Sequence, residues 1–339
     1  MSGAWVAGCT RAKALASRRL GSAGARELAS QPSLETAVLA LSMSPYGHTV
    51  RVGQSLEEAQ HAVAETLLWN LRVLAGWLPG AGADLLRVLV GWFEIANVDE
   101  HLQALEAGEE RPYFALGGLA TAWPRLAETT DLSQVRRVMA TSRWGDPGED
   151  TAWSIRLRLR TAWADRVYSK APSARPWVAA GAALLAARVM FLEHRTLPSG
   201  TAAALRGVMP GSAFSATDLV GSVDSASFVA GLAPRSRELL LGPAEARGSA
   251  PHSEGAAQGA VRNPDSRVQL DATVLWRSEI RWWSAVERDA FALLASSGFG
   301  AEPIVGAAGV LAADAWRARA ALGAAAHGAA GLGTFDALG

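Results

Sequence analysis

The sequence predicts an all-α protein made of three pseudo-symmetric helical subdomains. Apolar residues recur at helical spacing along almost the whole chain, and no convincing run of alternating apolar and polar residues indicates a strand. A short unit with a capping residue at its start also occurs three times. Self-similarity of this kind is typical of helical repeat arrays and of pseudo-symmetric rings.

The repeated unit begins with a capping residue and a short helix. In the first two copies, SLETAVLALSMSPYGH (33–48) and DLSQVRRVMATSRWGD (131–146), the capping residue is followed by a leucine, the short helix, a serine and an aromatic-glycine stop. The segment DSASFVAGLAPRSREL (224–239) is a weaker third copy. Serine and aspartate at these starts accept hydrogen bonds from the first turn of a helix, so each unit is predicted to open on a helix N-terminus.

Each unit precedes a pair of long helical stretches. In the first pair, Ser55 and Glu58 form a capping box that starts an apolar stripe ending before Pro79-Gly80. The second members of the three pairs are residues 85–105, 175–195 and 307–327.

Asn97, Arg188 and Arg317 are the equivalent central polar positions of these second stretches. This alignment predicts repeats over 1–110, 111–200 and 201–330. Residues 243–269 are rich in Gly, Ala, Pro and Ser, so they are predicted to be a disordered insertion in the third repeat.

Composition argues against several classes of function. Lysine plus arginine equals aspartate plus glutamate, at 32 each, and the arginines are dispersed, which argues against binding nucleic acid. Cys9 is the single cysteine, so an intrachain disulfide or a thiolate metal cluster is excluded and a reducing compartment is expected. The longest apolar stretch, 177–192, is shorter than the roughly 20 residues of a spanning helix, so no transmembrane segment is predicted.

No catalytic, cofactor-binding or metal site is predicted, because the sequence lacks the Walker, GxGxxG, HExxH and GxSxG motifs. Glu94, Asp99, Glu100 and His101 could in principle serve as an acid and a base. Charges on the exposed half of an amphipathic helix explain these four residues more simply, and lone histidines are typical of a solvated face. The tryptophans, spaced as on helices, are interpreted as core packing rather than as a stacking platform.

Asn97 differs from its charged neighbours. It follows a segment that is apolar on every side, residues 85–95, and is therefore predicted to be buried. A buried amide must be hydrogen-bonded, so Asn97 is expected to bind a neighbouring helix or a backbone carbonyl and to fix the register of packing.

Three stretches carry a resemblance to a known family. They are an arginine-rich opening that leads to a Ser-Pro-Tyr-Gly stop (11–47), GWFEIANVDEHLQAL (91–105), and a glycine-rich entry to a last long helix (299–322). Their order and the threefold repeat resemble the central-stalk family of V/A-type rotary ATPases, whose members are the C-type subunits of the prokaryotic enzymes and the d-type subunits of the eukaryotic ones.

Six residues occupy positions of the family motifs, where the resemblance implies a structural role. They are Glu94, Asn97, Arg188, Asp314, Arg317 and Arg319. The chain departs from the family pattern in the middle repeat, which lacks the usual acid and asparagine around Arg188, and at Trp316-Arg317, where Arg-Asn is common.

The resemblance implies an all-helical funnel with a mechanical function. A protein of this family receives the rotary shaft of the ATP-hydrolysing or ATP-synthesising sector in its cavity and sits on the membrane rotor ring that transports protons or sodium. It is non-catalytic, needs no cofactor, and is peripheral on the cytoplasmic face of the cell membrane. The alternative is a stand-alone helical-repeat scaffold that binds other proteins, in keeping with the departures and the insertion.

Overall fold

The computed structural model describes residues 3–108, 112–221, 224–243 and 270–336. These residues are helical with no strand among them, so the predicted all-α class is confirmed. The predicted disordered insertion at 243–269 falls almost entirely on residues outside the described ranges.

The structure forms two compact units, which are described separately. The first comprises residues 1–143 and 286–339, and the second residues 144–285. The predicted repeats over 1–110, 111–200 and 201–330 divide the chain by internal similarity rather than by contact, and they stay a prediction, as does the funnel.

The first unit contains the first eight helices and the two that close the chain. They are α1 (Gly3–Ala16), α2 (Gly21–Ala29), α3 (Leu34–Ser42), α4 (Leu56–Ala75), α5 (Gly80–Leu89), α6 (Gly91–Ala107), α7 (Trp123–Leu126), α8 (Leu132–Ala140), α16 (Ala301–Ala326) and α17 (Ala329–Asp336). The second unit contains α9 (Ala152–Lys170), α10 (Arg175–Ala187), α11 (Ser199–Gly207), α12 (Ala216–Val220), α13 (Ser225–Gly231) and α14 (Pro234–Leu241). The boundary at residue 286 falls inside α15 (Ala272–Leu294).

The helix starts follow the predicted capping chemistry. Ser33 and Asp131 accept the third backbone N–H of nine-residue helices, α3 and α8, with nearly the same extended dihedral angles. Asp224 does the same for α13, and the predicted capping box of Ser55 and Glu58 starts α4. The predicted helix starts of all three repeated segments are therefore confirmed.

The three repeated segments, 33–48, 131–146 and 224–239, also bury matching positions. Four residues after the cap lie Ala37, Val135 and Phe228, and each is fully buried. Eight residues after the cap lie Leu41, Met139 and Leu232, which are buried as well. In α3 and α8 the spacing of four places both positions on one face of the helix, whereas Leu232 lies just after α13 ends. The matching burial supports the interpretation of the segments as copies of one repeat.

The predicted stretch 85–105 is not one helix. It breaks at Val90 into α5 and α6, and Trp92 at the start of α6 is 48% exposed, although that part was predicted to be buried all round. Trp69 and Trp77 are also exposed on α4 and just after it, so the core-packing interpretation is wrong for these three tryptophans. Large apolar side chains at helical spacing do not by themselves reveal which turn of a helix meets a neighbour.

Helix α16 is the central element of the first unit, where it contacts α1 to α5 and α17. Alanines and glycines make up much of its sequence, and most of its length is buried. At Gly306 the backbone of α15 comes so close that an added Cβ would lie 2.6 Å from Leu294 N and 2.7 Å from Ala290 O. Only glycine fits at this crossing, because both neighbours are backbone atoms that cannot rotate away.

We expect Gly306→Ala to lower the free energy of unfolding by about 1–3 kcal/mol, because the methyl group overpacks a backbone contact. Gly323→Ala is the matched control on the same helix, since its Cβ would meet only Gln60 Nε2 at 3.9 Å. That control should be neutral or stabilising by up to about 1 kcal/mol, the ordinary gain of alanine over glycine in a helix. Urea unfolding of both variants measures the difference, and equal effects would contradict the close crossing.

Candidate functional site

The buried polar side chains of α6 lie on one face of the helix. Glu94, Asn97 and His101 are spaced three and four residues apart and are all buried. Each makes hydrogen bonds to the segment 113–129, which follows α6 in the chain. The face is therefore a set of anchors for that segment, and we call it the α6 polar face.

Asn97 binds both backbone groups of one residue. Its Nδ2 donates to Phe114 O at 2.9 Å, and its Oδ1 accepts from Phe114 N at 2.7 Å. The Phe114 ring then stacks on His61, with ring centroids 4.2 Å apart. The prediction of a buried, hydrogen-bonded amide is confirmed, and its partner is the backbone of a segment that lies outside any helix.

Glu94 anchors the start of α7. Its carboxylate accepts from Thr121 N at 2.7 Å, Ala122 N at 2.8 Å and the Thr121 hydroxyl at 2.7 Å. Ala122 is the N-cap of α7 and has no capping side chain of its own, so Glu94 supplies the acceptor from another helix. The prediction that Glu94 lies on an exposed half of the helix is wrong, because it is only 2% exposed.

His101 completes the α6 polar face. Its Nε2 lies 2.8 Å from Thr129 Oγ1, and Thr129 donates its own hydrogen to Leu126 O. The hydroxyl must therefore accept from His101, which fixes the proton on Nε2. Burial lowers the pKa of His101, and the prediction of a solvated histidine is wrong here. Asp99 and Glu100 lie at positions of intermediate exposure.

The lowered pKa makes the stability of the fold depend on pH. A histidine whose pKa is below its ordinary value of 6.5 binds a proton more readily in the unfolded chain, so the folded state loses stability as the pH falls below that value. We expect the free energy of unfolding to fall less steeply between pH 6.5 and 5 in His101→Gln than in the wild type. Urea titrations at several pH values measure the two slopes, and equal slopes would contradict the prediction.

On α16, Asp314 repeats the arrangement of Glu94. Its carboxylate accepts from Leu20 N at 2.9 Å and Gly21 N at 2.7 Å, at the start of α2, and from the Tyr46 hydroxyl at 2.8 Å. Burial, followed by the nearby negative charge of Asp314, raises the pKa of Tyr46. Leu20 is the N-cap of α2 and, like Ala122, offers no capping side chain.

Arg317 lies one turn further along α16. It forms a bidentate ion pair with Glu287 of α15, with Nη1 to Oε1 at 2.9 Å and Nη2 to Oε2 at 2.6 Å. The hydrogen bond to Glu287 is the main reason that the pKa of Arg317 is raised. Arg319 lies on the exposed side of α16, where its backbone oxygen accepts from Gln60.

Arg188 has a different environment in the middle repeat. It is exposed at the start of a π-helical turn, Arg188–Leu192, and pairs with Glu193 at 3.3 Å. Leu185 stands where the first and third repeats have Glu94 and Asp314. The predicted equivalence of Asn97, Arg188 and Arg317 therefore corresponds to three different contacts.

Glu94 and Asp314 bind backbone groups that could not be identified as their partners from the sequence. Glu94 and Asp314, each three residues before a predicted central position, both bind two consecutive backbone N–H groups at the start of a helix. The signal that could have found them is the uncapped start of α2 and of α7, since such N–H groups need an acceptor from elsewhere. We call the two arrangements the Asp314 clamp and the Glu94 clamp.

Asn97→Leu is expected to lower the free energy of unfolding by about 1–3 kcal/mol, because it leaves both backbone groups of Phe114 without their partner. Asn70→Leu on α4 is the control, since Asn70 lies at a partly exposed position. Thermal melting of both variants measures the difference. An unchanged melting temperature for Asn97→Leu would mean that Phe114 finds other partners.

Among the described residues, no group of three or more His, Cys, Asp or Glu side chains could hold a metal ion. Within the same residues, one helical stretch, Pro172–Leu192, is long and apolar enough to cross a membrane, and 44% of its apolar window is buried inside the protein. A core helix of a soluble protein passes the same test, so this stretch alone is weak evidence for a span.

The comparisons with known proteins agree with the resemblance seen in the sequence. The model of the ATP synthase (C/AC39) subunit family matches residues 8–164, a little less than half of the chain. The matched range includes two of the capped units and the whole α6 polar face with the segment it anchors. No curated protein matches the chain. Over residues 8–164 the chain is therefore similar to the C/AC39 subunits of V/A-type ATP synthase.

Proposed function

We propose that this chain is the non-catalytic central-stalk subunit that couples the rotary shaft of a V/A-type ATPase to its membrane rotor ring. The family match over residues 8–164 carries the proposal. In this role the protein transmits torque between ATP hydrolysis or synthesis and the transport of protons or sodium. It lies peripherally on the cytoplasmic face of the membrane, with its three repeats arranged as a funnel.

The clamps fit a part that must transmit force without deforming. Each clamp fixes a helix start with a buried carboxylate that accepts three hydrogen bonds. Buried polar groups with several partners specify one register of packing, because any shift leaves donors unsatisfied.

The order of the clamps supports a ring of repeats. The last long helix, α16, holds the start of α2 ahead of the first capped unit, and α6 holds the start of α7 ahead of the second. The third predicted repeat is thereby joined to the first, and the first to the second.

The test is copurification from the native source with a tag on the full chain. We expect the shaft subunits and the rotor ring to be recovered with it. Recovery of a free monomer from membranes that contain an intact motor would overturn the proposal.

Cross-linking gives a second readout that locates the contacts. The only cysteine, Cys9, is buried, so a single cysteine introduced at an exposed position such as Met43 reports on its own neighbours. We expect single-cysteine variants placed around the surface to include some that cross-link to shaft subunits and others that cross-link to the ring. The unsubstituted chain is the control.

The second candidate is a stand-alone helical-repeat scaffold that binds other proteins. The end of the family match at residue 164 and the absence of a clamp acid at Leu185 favour it. Neighbouring genes that encode no other motor subunits, together with copurification of unrelated proteins, would support this candidate over the rotor subunit.

A further inference from the structure

An open cleft of about 310 Å³ lies beside the Glu94 clamp. Its lining is Arg87 of α5, the segment Ala120–Ala122, Arg125 of α7, and Ser142 and Arg143 just after α8. Four separate parts of the chain thus bring three arginines to one opening. We call it the arginine cleft.

The charge lining the cleft is positive. No carboxylate is among its lining residues. Arg87 pairs with Asp84 on its own helix. Arg125 donates to the Thr141 hydroxyl at 2.8 Å, and neither Arg125 nor Arg143 forms an ion pair with any residue that the structure describes. Two guanidinium groups therefore keep most of their N–H donors for a ligand.

Guanidinium groups are the donors that the cleft offers. The Thr121 hydroxyl donates to Glu94, and the Ser142 hydroxyl donates to Met139 O, so neither hydrogen is available. Several planar N–H donors around one opening match a tetrahedral oxyanion, which has acceptor oxygens on every side. A chloride ion or a neutral sugar would use few of these donors.

Glu94 is a buried carboxylate that binds two residues of the cleft lining. Its carboxylate does not line the cleft, and it already accepts three hydrogen bonds from Thr121 and Ala122, which do. The arginines are therefore not needed as its hydrogen-bond partners. The alternative role of the arginines is to balance the charge of Glu94 through space, and the stability of the cleft variant tests it.

We propose that the arginine cleft binds a phosphate group, either of a free phosphate compound or of a lipid headgroup. A phosphate group with one ester bond carries about 1.5 to 2 negative charges at neutral pH and accepts hydrogen bonds at three oxygens. The inference rests on the cleft alone and does not depend on assembly into a rotary motor.

Calorimetric titration of the full chain with inorganic phosphate, at constant ionic strength set with chloride, tests the proposal. We expect one saturable site from which sulfate displaces phosphate. The double variant Arg125→Gln with Arg143→Gln should weaken binding at least tenfold. The matched control is Arg18→Gln with Arg137→Gln, which removes the same charge from exposed arginines outside the cleft and should bind as the wild type does.

A vesicle arm separates the two sources of phosphate. Phosphatidylcholine vesicles with and without phosphatidic acid are sedimented with the protein. Binding that requires phosphatidic acid and the cleft arginines supports a headgroup, and binding of inorganic phosphate without vesicle binding supports a free compound. The proposal is overturned if neither probe binds, or if both double variants lose binding equally. If phosphate does not bind and the cleft variant is less stable than the control, the arginines serve to balance Glu94.

Discussion

Asp314→Asn is expected to lower the free energy of unfolding by about 2–4 kcal/mol, although the two side chains have nearly the same shape. The carboxylate accepts from Leu20 N, Gly21 N and the Tyr46 hydroxyl with its two oxygens. An amide has only one acceptor oxygen, and its NH₂ group would face a donor. The charge that strengthens these hydrogen bonds is lost as well.

Chemical denaturation measures the effect, and two variants locate it. Asp336→Asn makes the same change in an exposed pair with Arg26, where we expect a much smaller loss because solvent screens the pair. Tyr46→Phe removes one of the three donors and should cost about 1 kcal/mol. The double variant Tyr46→Phe with Asp314→Asn should lose less free energy of unfolding than the two single variants lose together, because both changes remove the same contact. Full additivity would contradict the clamp.

The local features of this fold could be predicted from the sequence. The caps of α3, α4, α8 and α13 depend on residues within one turn, so their identity and spacing suffice. The burial of Asn97 could be predicted as well, because an apolar run leads directly into it. In each case the evidence lies within a few residues along the chain.

The long-range partners could not be predicted. In the sequence, Glu94 and His101 resemble surface charges, because the spacing of residues in α6 does not indicate that the segment 113–129 covers them. Arg317 finds Glu287 30 residues away, whereas Arg188 stays exposed with a neighbour five residues away. Periodicity locates an apolar face, but only the tertiary fold shows which polar residues a later segment will bury.

The middle repeat has Leu185, of intermediate exposure, at the position of the clamp acid. The helix that follows the second long stretch, α11, begins after Pro198, which has no backbone N–H to offer. Leu185 is consistent with a helix start that already contains proline.

Glu94→Gln is the corresponding change in the other clamp and should also cost about 2–4 kcal/mol, since Thr121 N, Ala122 N and the Thr121 hydroxyl share two carboxylate oxygens. The control is Glu58→Gln, which alters an exposed capping glutamate on α4 and should lower stability much less. Urea unfolding of both variants gives the comparison.

Hydrogen exchange distinguishes a clamp from a general loss of packing. In Glu94→Gln, the amides of Thr121 and Ala122 should lose protection most, while those of Leu20 and Gly21 should keep their protection relative to global unfolding. Asp314→Asn should give the reverse pattern. Equal loss of protection at both helix starts in either variant would contradict two separate anchors. It would mean that the clamps on α6 and α16 act as one cooperative network.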